Sequence, residues 1–538
     1  MLLALVNASC AAFGCNISYD PAHSCQCNAA PDGGCAHFKN CCADYAAVCG
    51  AGPPPPPPAA SCAVYGCVYN KAHKCQCNDQ CKAHGDCCSD WKAHCSKPGP
   101  GPPPPPTPGG HPDFDHQTKP YTESFQPTSV ASGAAVTLTP FFSPDSSAKT
   151  IVDFVDAVPK GGKLDIGTPS FGSWSGLTPF SGCTGGSAAN CSAEKFPVFQ
   201  AILNAVHQRD VSVRLLTNNF NAKVCAGKVD PLSFLALNGV AITWYATTTF
   251  MHAKFMASYP RKSAKAPSRA SISSVNWSHN SYVNDREAGA IVEGAAAAPL
   301  LAFTVAVFAS DLAAGVKFKP ATYPAADMKV ITSKAKRTPV ISTPPSRPYV
   351  SPAPKKISAS GGMTVYTSPD YALKTLQAHI AAATKSFDLY MYQITEKELT
   401  ASLLAAKAKG VKVRILVSHD IYGKADAAAA QKQYAALAAG GLTIMLAKSF
   451  SFADYQHQKY WVVDGDSTGL STGNWSPSDY PSNATAAFEP YPSNSWRSTN
   501  RDYTIKVDAC AEFAAVYLDV LEGDLKTATT WKPKAPMN

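Results

Sequence analysis

The sequence predicts an α/β fold made of two related halves, preceded by two small disulfide-rich modules. Sixteen of the 20 cysteines lie in the first 95 residues, two proline runs divide the first 120 residues, and the chain repeats itself from about residue 136 onward. The 538 residues, 45% of them apolar, suffice for several buried cores and exclude a wholly disordered chain.

The two cysteine modules are predicted at residues 10–50 and 62–96, with eight cysteines each in the same order. Cysteines clustered this densely form disulfides in oxidising compartments and would be reduced in the cytosol. Metal binding by the same thiols is the alternative, but zinc sites typically use two Cys-x-x-Cys pairs and fewer ligands. The pairing stays open, and the predicted disulfide cysteines are Cys10, Cys15, Cys25, Cys27, Cys35, Cys41, Cys42, Cys49, Cys62, Cys67, Cys75, Cys77, Cys81, Cys87, Cys88 and Cys95.

Proline-rich stretches at 51–61 and 97–120 are predicted to be linkers, because polyproline II has no internal hydrogen bonds and acts as a stiff spacer. Residues 1–9 begin with a short apolar run, which we interpret as a possible signal remnant. The uncharged run at 294–310 contains Pro299 and is closed by Asp311, so we expect a core helix and no membrane span.

The remaining chain divides into two repeats, predicted at 121–320 and 362–530, with a linker at 321–361. In each repeat a run of β-branched residues follows a helical pattern, which predicts a helix and then a buried strand. Strands that alternate with helices make each repeat an α/β unit. The matching strings are Ser143-Pro144-Asp145 with Ser368-Pro369-Asp370, residues 211–216 with 411–416, Gly239 with Gly441, and residues 307–312 with 520–525.

Each repeat contains one unusual string of polar residues. A lone histidine is more often structural, but two at matching positions, each followed by the same pattern, indicate one shared site. The His-x-Lys spacing is typical of a strand, where residues i and i+2 point to one face. The strings are His252-Ala253-Lys254 followed by Ser274-Val275-Asn276, and His457-Gln458-Lys459 followed by Asp464 and by Thr472-Gly473-Asn474.

The H-x-K-x4-D pattern with a downstream Ser/Thr-x-Asn resembles the signature of the phospholipase D superfamily, over roughly residues 136–530. The Cys-x-Cys and Cys-Cys pairs of the front modules, with Asp90-Trp91 after the second, resemble somatomedin B domains. The first resemblance implies two α/β repeats packed about a pseudo-twofold axis, with both motifs facing one phosphate. It also implies cleavage through a phosphohistidine intermediate.

Cleavage of a phosphodiester without a metal requires a nucleophile, a proton donor for the leaving group and fixed positive donors for the phosphate oxygens. The resemblance implies His252 as nucleophile and His457 as general acid, with the reverse assignment left open. We expect no metal and no cofactor. The groups implied to hold the phosphate are Lys254, Lys459, Asn276 and Asn474, with the hydroxyls of Ser274 and Thr472 on the phosphate side.

A nucleophilic imidazole needs a carboxylate on its other nitrogen to fix the tautomer. The resemblance implies Glu287 and Asp502 for this role, and surface charge is the alternative for both. Asp464 is implied to be a structural acid of the motif. The first repeat departs from the pattern, because Tyr259 occupies the matching position, so we expect altered folding around His252.

A basic insertion in the first repeat could contact a polyanion, although a solvated basic loop is the simpler explanation. Its charged residues are Arg261, Lys262, Lys265 and Arg269. The strings Tyr460-Trp461-Val462-Val463 and Asn474-Trp475-Ser476 resemble the lumenal branch of the superfamily, which implies 5′ exonuclease-like cleavage of single-stranded nucleic acid. The net charge of 47 − 38 = +9 and the aromatic residues near the motifs suit such a substrate. Phospholipid head-group hydrolysis is one alternative, and an adhesive matrix protein with a vestigial enzyme is another.

The disulfide-rich modules and four sequons predict a secreted protein or one in a lysosomal or vacuolar lumen. We expect the modules to offer an extracellular protein partner a binding surface. The predicted glycosylation sites are Asn7, Asn16, Asn190 and Asn483.

Overall fold

The structure, a computed structural model, divides the chain into two compact units, Met1–Pro105 and Pro106–Asn538. It describes residues 75, 81, 87, 88, 121–169, 197–218, 231–245, 249–450, 455–482 and 499–533. The possible signal remnant, the two proline linkers, most of the cysteines and all four predicted glycosylation sites lie outside these residues.

The first unit contains two disulfides among its described residues. They join Cys75 to Cys88 and Cys81 to Cys87, all within the second cysteine module. Disulfide bonding is thereby confirmed for these four of the predicted cysteines. In the second unit Cys510 is buried and free.

The second unit is built from two mixed sheets with helices, which confirms the predicted α/β class. In its first repeat the elements are β1 (Thr128–Val130), β2 (Val136–Ser143), α1 (Ser147–Asp156), β3 (Lys163–Thr168), α2 (Pro197–Arg209), β4 (Ser212–Thr217), α3 (Pro231–Leu237), β5 (Ala241–Trp244), β6 (Thr249–Met251), β7 (Phe255–Tyr259), β8 (Arg269–Ser273), α4 (His279–Val283), β9 (Glu287–Glu293), a 3-10 turn (Ala295–Ala297), α5 (Ala298–Ala314) and β10 (Val316–Lys317).

The second repeat has the same order of elements in its described residues, except that it begins with an additional helix and lacks counterparts of β6, α4 and the 3-10 turn. Its elements are α6 (Ala325–Ile331), β11 (Ile357–Ala359), β12 (Met363–Ser368), α7 (Ala372–Ala381), β13 (Ser386–Met391), α8 (Lys397–Ala408), β14 (Lys412–Ser418), α9 (Lys424–Ala439), β15 (Ile444–Ala447), β16 (Lys459–Val463), β17 (Ser467–Ser471), β18 (Thr499–Val507), α10 (Ala511–Leu525) and β19 (Thr529–Thr530).

The two sheets have the same topology. One sheet has the strand order β10-β5-β4-β3-β7-β8-β9-β2-β11 and the other β1-β12-β18-β17-β16-β13-β14-β15-β19. In each, three parallel strands (β5-β4-β3 and β15-β14-β13) continue into four antiparallel ones. The predicted duplication is therefore visible strand by strand.

At its antiparallel end, each sheet has one further strand, and this strand comes from the segment that precedes the other repeat. Strand β1 pairs with β12 of the second repeat, and β11 pairs with β2 of the first. The segment 321–361, predicted as a linker, thus contributes helix α6 and strand β11. These exchanged strands tie the two repeats together.

One hydrophobic core fills the space between the repeats. Helices α5 and α10 contribute Val307, Phe308, Tyr517 and Leu521 to a cluster that also contains strand residues from both sheets. Burial of apolar surface from both repeats makes their packing a part of folding rather than a weak domain contact.

Helix α5 and the turn before it (Ala295–Ala314) form the one helix in the described part of the chain that is long and apolar enough to cross a membrane. Its inward residues, such as Leu300 and Val307, are buried in the core. The carboxylate of Asp311 accepts hydrogen bonds from Arg501 of the other repeat. This packing favours the predicted core helix.

Candidate active site

The two His-x-Lys strings meet at one cleft of about 460 Å³ between the repeats. The cleft is lined by His252 and Asn276 of the first repeat and by His457 and Asn474 of the second. A larger cavity of about 670 Å³ lies between α1 and residues 350–354 and contains none of the predicted site residues. The shared cleft is therefore the candidate active site.

The histidines lie just ahead of strands β7 and β16 rather than within them, which differs from the expected strand position. The backbone N–H of His252 donates to the carbonyl of Arg501 at 3.0 Å, and that of His457 donates to the carbonyl of Arg286 at 2.8 Å. Each histidine is thus hydrogen-bonded to the other repeat instead of to its own sheet, which holds both at the boundary between the repeats.

The carboxylates on the two imidazoles also come from the opposite repeat. His457 Nδ1 lies 2.9 Å from one oxygen of Glu287 and 3.0 Å from the other. His252 Nδ1 lies 3.0 Å from Asp502 and equally far from a second carboxylate, Asp479. Both acids named in the sequence analysis, Glu287 and Asp502, therefore contact an imidazole, and each reaches across the repeat boundary.

The lysines lie against the remaining ring nitrogens. Lys459 Nζ donates to His457 Nε2 at 2.8 Å and to the His457 carbonyl at 2.9 Å. Lys254 Nζ donates to His252 Nε2 at 3.2 Å and to the carbonyl of Thr472 at 3.2 Å. A neutral imidazole that donates Nδ1–H to its carboxylate has its lone pair on Nε2, the nitrogen next to the lysine.

The two asparagines border the cleft, and one has an unused acceptor. The Asn474 Oδ1 atom is buried and has no hydrogen-bond partner in the described structure. The histidine side chains are 15% and 11% exposed, whereas Glu287 is completely buried. The cleft therefore presents ring nitrogens and side-chain amides to a ligand and keeps the carboxylates behind the rings.

Ser274 and Thr472 were predicted on the phosphate side, and the structure places them differently. Both are fully buried. Thr472 Oγ1 donates to Asp502 at 2.6 Å, and Ser274 Oγ donates to the carbonyl of Ala288 at 3.2 Å and accepts from its N–H at 2.9 Å. Their hydroxyls support the strands of the orienting acids because a buried hydroxyl needs partners within the protein.

Burial shifts the pKa values of His457 and of the groups around it. It raises the pKa of Glu287 to about 7 and lowers the pKa of Lys459 to about 7. Burial also lowers the pKa of Lys254. Burial and the neighbouring Lys459 and Lys254 hold the pKa of His457 well below its ordinary value.

A buried arginine precedes each orienting acid and is held by carboxylates from both repeats. Arg286 donates to Asp145 of its own repeat at 2.7 Å and to Asp524 of the other at 3.0 Å. Asp145 and Asp524 belong to the strings that revealed the duplication. The arginine therefore fixes the peptide that carries Glu287 and that accepts the N–H of His457.

The second repeat repeats this arrangement around Arg501. This guanidinium donates to Asp370 at 2.6 Å and to Asp311 at 2.9 Å, with all three side chains buried. It precedes Asp502 as Arg286 precedes Glu287. Both arginines thus form ion pairs between the repeats, next to the site.

Tyr259 fills the position of the missing motif acid. In the second repeat Asp464 accepts hydrogen bonds from the backbone N–H groups of residues 384–386. Burial alone would raise the pKa of Asp464, but these bonds and the one from the Thr384 hydroxyl lower it to about 2. In the first repeat Tyr259 is buried and donates to Asp165 at 2.7 Å, with Lys163 over its ring. A different packing therefore replaces the acid, at the end of β7 that lies away from His252.

The basic insertion contacts the protein itself. Lys262 pairs with Asp210, and Arg269 donates to the carbonyl of Phe154 and lies over its ring. These contacts favour a structural loop over a polyanion contact.

One group in the described residues has the spacing of a cation site. The ligand atoms of His252, Asp479 and Asp502 lie within 4.8 Å of one another. The same atoms already take part in hydrogen bonds with Asn500 and Thr472 and between the histidine and its two carboxylates. We therefore treat the group as a hydrogen-bond network.

Sequence reasoning missed three parts of the site. Asp479, the arginines Arg286 and Arg501, and the aromatic rim of the cleft were not predicted individually. The rim is formed by Phe250, Tyr392, Tyr422 and Tyr455.

Family models match both parts of the chain. One, described as cardiolipin synthase, PLD-like domain, matches residues 191–304 and 376–489, one match in each repeat. Another, the somatomedin B domain, matches residues 8–52 and 60–98, which contain the two cysteine modules. No curated protein matches the chain.

Solved structures are similar at low sequence identity. Nuc from Salmonella typhimurium, a phospholipase D family member, is 19% identical over 32% of this chain and 97% of that chain, with a TM-score of 0.26. Phosphatidylserine synthase from Haemophilus influenzae Rd KW20 is 11% identical over 76% and 90% of the two chains, with a TM-score of 0.47. Polyphosphate kinase from Porphyromonas gingivalis is 10% identical over 74% and 48%, with a TM-score of 0.44.

Proposed function

Since this chain belongs to the phospholipase D superfamily, with its domain in two repeats and two somatomedin B domains in front, we propose that it is a hydrolase of phosphodiesters that acts through a phosphohistidine. The observation that carries the proposal is the pair of imidazoles at one cleft, each with Nδ1 on a buried carboxylate and Nε2 next to a lysine. This arrangement supports nucleophilic and acid–base chemistry on one phosphate.

The proposed reaction has two displacements. The Nε2 lone pair of one histidine attacks phosphorus, the bond to the leaving oxygen breaks, and that oxygen takes the Nε2 proton of the other histidine. Water then attacks the phosphohistidine and gives its proton to the second histidine. The P–N bond breaks, and its electron pair returns to the first imidazole, so the site is regenerated.

Lys254, Lys459, Asn276 and Asn474 supply the donors for the non-bridging oxygens in this proposal. The lysines lie 3.2 and 2.8 Å from the ring nitrogens, so a phosphorus bonded to either Nε2 has its oxygens within reach of an ammonium. Donors fixed before the reaction stabilise developing charge without reorganisation.

We favour single-stranded nucleic acid as substrate because of the aromatic rim. Tyr422 is 77% exposed at this rim, and the buried ring of Tyr392 lies 4.8 Å from that of His457. An exposed aromatic ring next to a phosphate site supports base stacking, which tolerates any sequence. A phospholipid is the competing substrate.

One assay distinguishes the two substrates. We expect the protein to degrade a labelled single-stranded oligonucleotide, at acidic or neutral pH, and to leave phosphatidylcholine vesicles intact. Consumption of the vesicles and not the oligonucleotide would replace the substrate proposal. Cleavage of neither would favour an adhesive protein with a vestigial enzyme.

We expect Tyr422→Ala to raise the KM for the oligonucleotide by about 5- to 150-fold, because loss of one stacking contact costs about 1–3 kcal/mol. Tyr422→Phe keeps the ring and should behave like the wild type. Steady-state kinetics with both variants measure the effect. An unchanged KM in Tyr422→Ala would remove the argument for stacking at this rim.

We expect turnover to persist in a chelator, because the site carries its own nucleophile, acid and cations. The measurement is oligonucleotide cleavage after dialysis against EDTA, with and without Mg²⁺, Ca²⁺ or Zn²⁺ added back. Loss of activity that a divalent ion restores would contradict the metal-free mechanism.

The front domains suggest where the enzyme works. Disulfides and somatomedin B domains are typical of the secretory pathway, and such domains often mediate protein interactions. We propose secretion or a lumenal location, with an extracellular protein as partner of the modules.

A further inference from the structure

The two halves of the active site differ at two matching positions. The string from Asn474 to Tyr480 corresponds to that from Asn276 to Tyr282, so Asp479 lies where the first repeat has Ser281. One residue before each asparagine, Gly473 lies where the first repeat has Val275. These differences place an additional carboxylate in one half only.

Asp479 is fully buried against the first histidine. Its Oδ1 lies 3.0 Å from His252 Nδ1 and accepts from Asn500 Nδ2 at 3.0 Å, and its other oxygen accepts from Ser476 Oγ. His252 therefore has two carboxylates on one ring nitrogen. His457 has Glu287 alone.

Gly473 leaves room for the two carboxylates. A Cβ at this position would lie 2.8 Å from the Asp502 carboxylate and 3.0 Å from Asp479 Oδ1. Separations this short are repulsive, so a residue such as Val275 would displace the pair. The glycine and the extra aspartate therefore belong to one arrangement.

The hydrogen bonds of the two active-site lysines also differ between the halves. Lys459 contacts its histidine twice within 2.9 Å, at Nε2 and at the carbonyl, and as an ammonium it donates to an unprotonated His457 Nε2. Lys254 makes a longer contact of 3.2 Å to His252 Nε2 and has a second acceptor in the other repeat, the Thr472 carbonyl. Both lysines keep a carbonyl acceptor if Nε2 is protonated, but a proton on His252 Nε2 displaces the longer contact, at 3.2 Å, and a proton on His457 Nε2 displaces the shorter one, at 2.8 Å.

We propose that Asp479 is a positioning residue that divides the roles of the two histidines, so that His252 is the proton donor and His457 the nucleophile. The inference rests on the proposed phosphohistidine mechanism and reverses the assignment implied by the sequence resemblance. In the first step His457 Nε2 forms the bond to phosphorus, and the proton on His252 Nε2 passes to the leaving alkoxide. In the second step water returns a proton to His252 and the P–N bond breaks.

The electrostatics agree with this division. Burial and Lys254 favour the neutral form of His252, but the carboxylates of Asp502 and Asp479 outweigh them and raise its pKa. Burial opposes ionisation of Asp479, yet contact with His252 keeps its pKa low, whereas burial raises the pKa of Asp502. The lysines and carboxylates around the two rings and along their cleft are Lys254, Lys459, Asp479, Asp502, Glu287, Asp285 and Asp426, and the phenol of Tyr392 packs against His457.

The first test is the identity of the phosphorylated residue. We expect alkaline quenching during turnover of a phosphorus-labelled oligonucleotide, followed by peptide mass spectrometry, to find phosphate on His457. Phosphate on His252 would overturn the proposal while leaving the phosphohistidine mechanism intact. Turnover without any phosphohistidine would instead overturn the proposed function, and this inference with it.

The second test is the pH profile of Asp479→Asn. A carboxylate this close shifts the pKa of its neighbour by about 1–3 units, and its loss lowers that of His252. We therefore expect the alkaline limb of kcat/KM to move to lower pH, by about one unit or more. At pH above the new limb, the variant should cleave thymidylyl-thymidine about 10- to 100-fold more slowly than the wild type. Cleavage of bis(p-nitrophenyl) phosphate should be much less affected, because its leaving group needs little protonation.

Matched variants separate this role from a structural one. Asp479→Ser reproduces the first repeat and should behave like Asp479→Asn, while Asp479→Glu should restore part of the alkaline limb. Asp153→Asn removes an exposed carboxylate on helix α1, outside the cleft, and should leave the limb in place. Equal losses on both substrates with an unmoved limb would show that Asp479 only supports the fold.

Nuclear magnetic resonance of ¹⁵N-histidine protein gives a readout independent of turnover. We expect the wild-type His252 ring to titrate at higher pH than the His457 ring, and Asp479→Asn to reduce the difference. Equal titration of the two rings in the wild type would overturn the proposal even if the enzyme is active.

Discussion

Replacement of either active-site histidine, His252→Ala or His457→Ala, should lower kcat by about 10⁴-fold or more. Each variant removes either the nucleophile that bonds to phosphorus or the acid that protonates the leaving group. The double variant should be scarcely worse than either single one, since the pair acts as a unit. Single-turnover cleavage of a labelled oligonucleotide measures all three.

The control for these variants is His207→Ala, at a histidine on helix α2 that contacts Asn238 at 2.8 Å and does not line the cleft. It should keep wild-type turnover. If the fold-losses of the two single variants multiply in the double variant, the histidines act independently. That result would contradict a mechanism in which both act on one phosphate.

Arg501→Ala should lower the free energy of unfolding by about 3–5 kcal/mol, because it leaves Asp311 and Asp370 buried without their cation. Urea denaturation of the purified variant measures the loss, and failure to obtain folded protein is its extreme form. Adding Asp311→Asn to Arg501→Ala should cost less than the sum of the two single changes, since one unpaired charge is removed.

The control is Lys355→Ala. Lys355 also binds a carboxylate, Glu512 at 2.6 Å, but the two side chains are 72% and 55% exposed. Exposed pairs contribute only about 0–1 kcal/mol. Equal effects of Lys355→Ala and Arg501→Ala would contradict the idea that the buried pairs join the repeats.

The duplication could be predicted because both copies keep the same local patterns. The β-branched runs at 211–216 and 411–416 correspond to strands β4 and β14, and each follows a helix as predicted. The His, Lys and Asn residues could be found because they recur at matching positions. Each also has a chemistry that a phosphate site requires.

The pairing across the repeats could not be predicted. Glu287 follows Asn276 in the chain, yet its carboxylate lies on His457, because each repeat presents its acid at the boundary with the other. The exchanged strands β1 and β11 have three residues each, which is too short for a period-2 pattern.

The buried charges were missed for a physical reason. Asp145 and Asp311 lie in strings that the sequence analysis used only as markers of the repeat, because a charged residue is rarely buried without a partner. The partner, Arg286 or Arg501, becomes visible only when the repeats are packed. Asp479 follows a Ser-Pro-Ser turn and differs from its counterpart Ser281, so repetition gave no signal for it.

The stereochemistry at phosphorus tests the central claim most directly. Hydrolysis of an oligonucleotide with one phosphorothioate linkage of known configuration, carried out in ¹⁸O-labelled water, reports the number of displacements. Two in-line displacements through a phosphohistidine predict net retention of configuration. Net inversion would mean that water attacks the phosphodiester directly, and it would contradict a covalent role for either histidine.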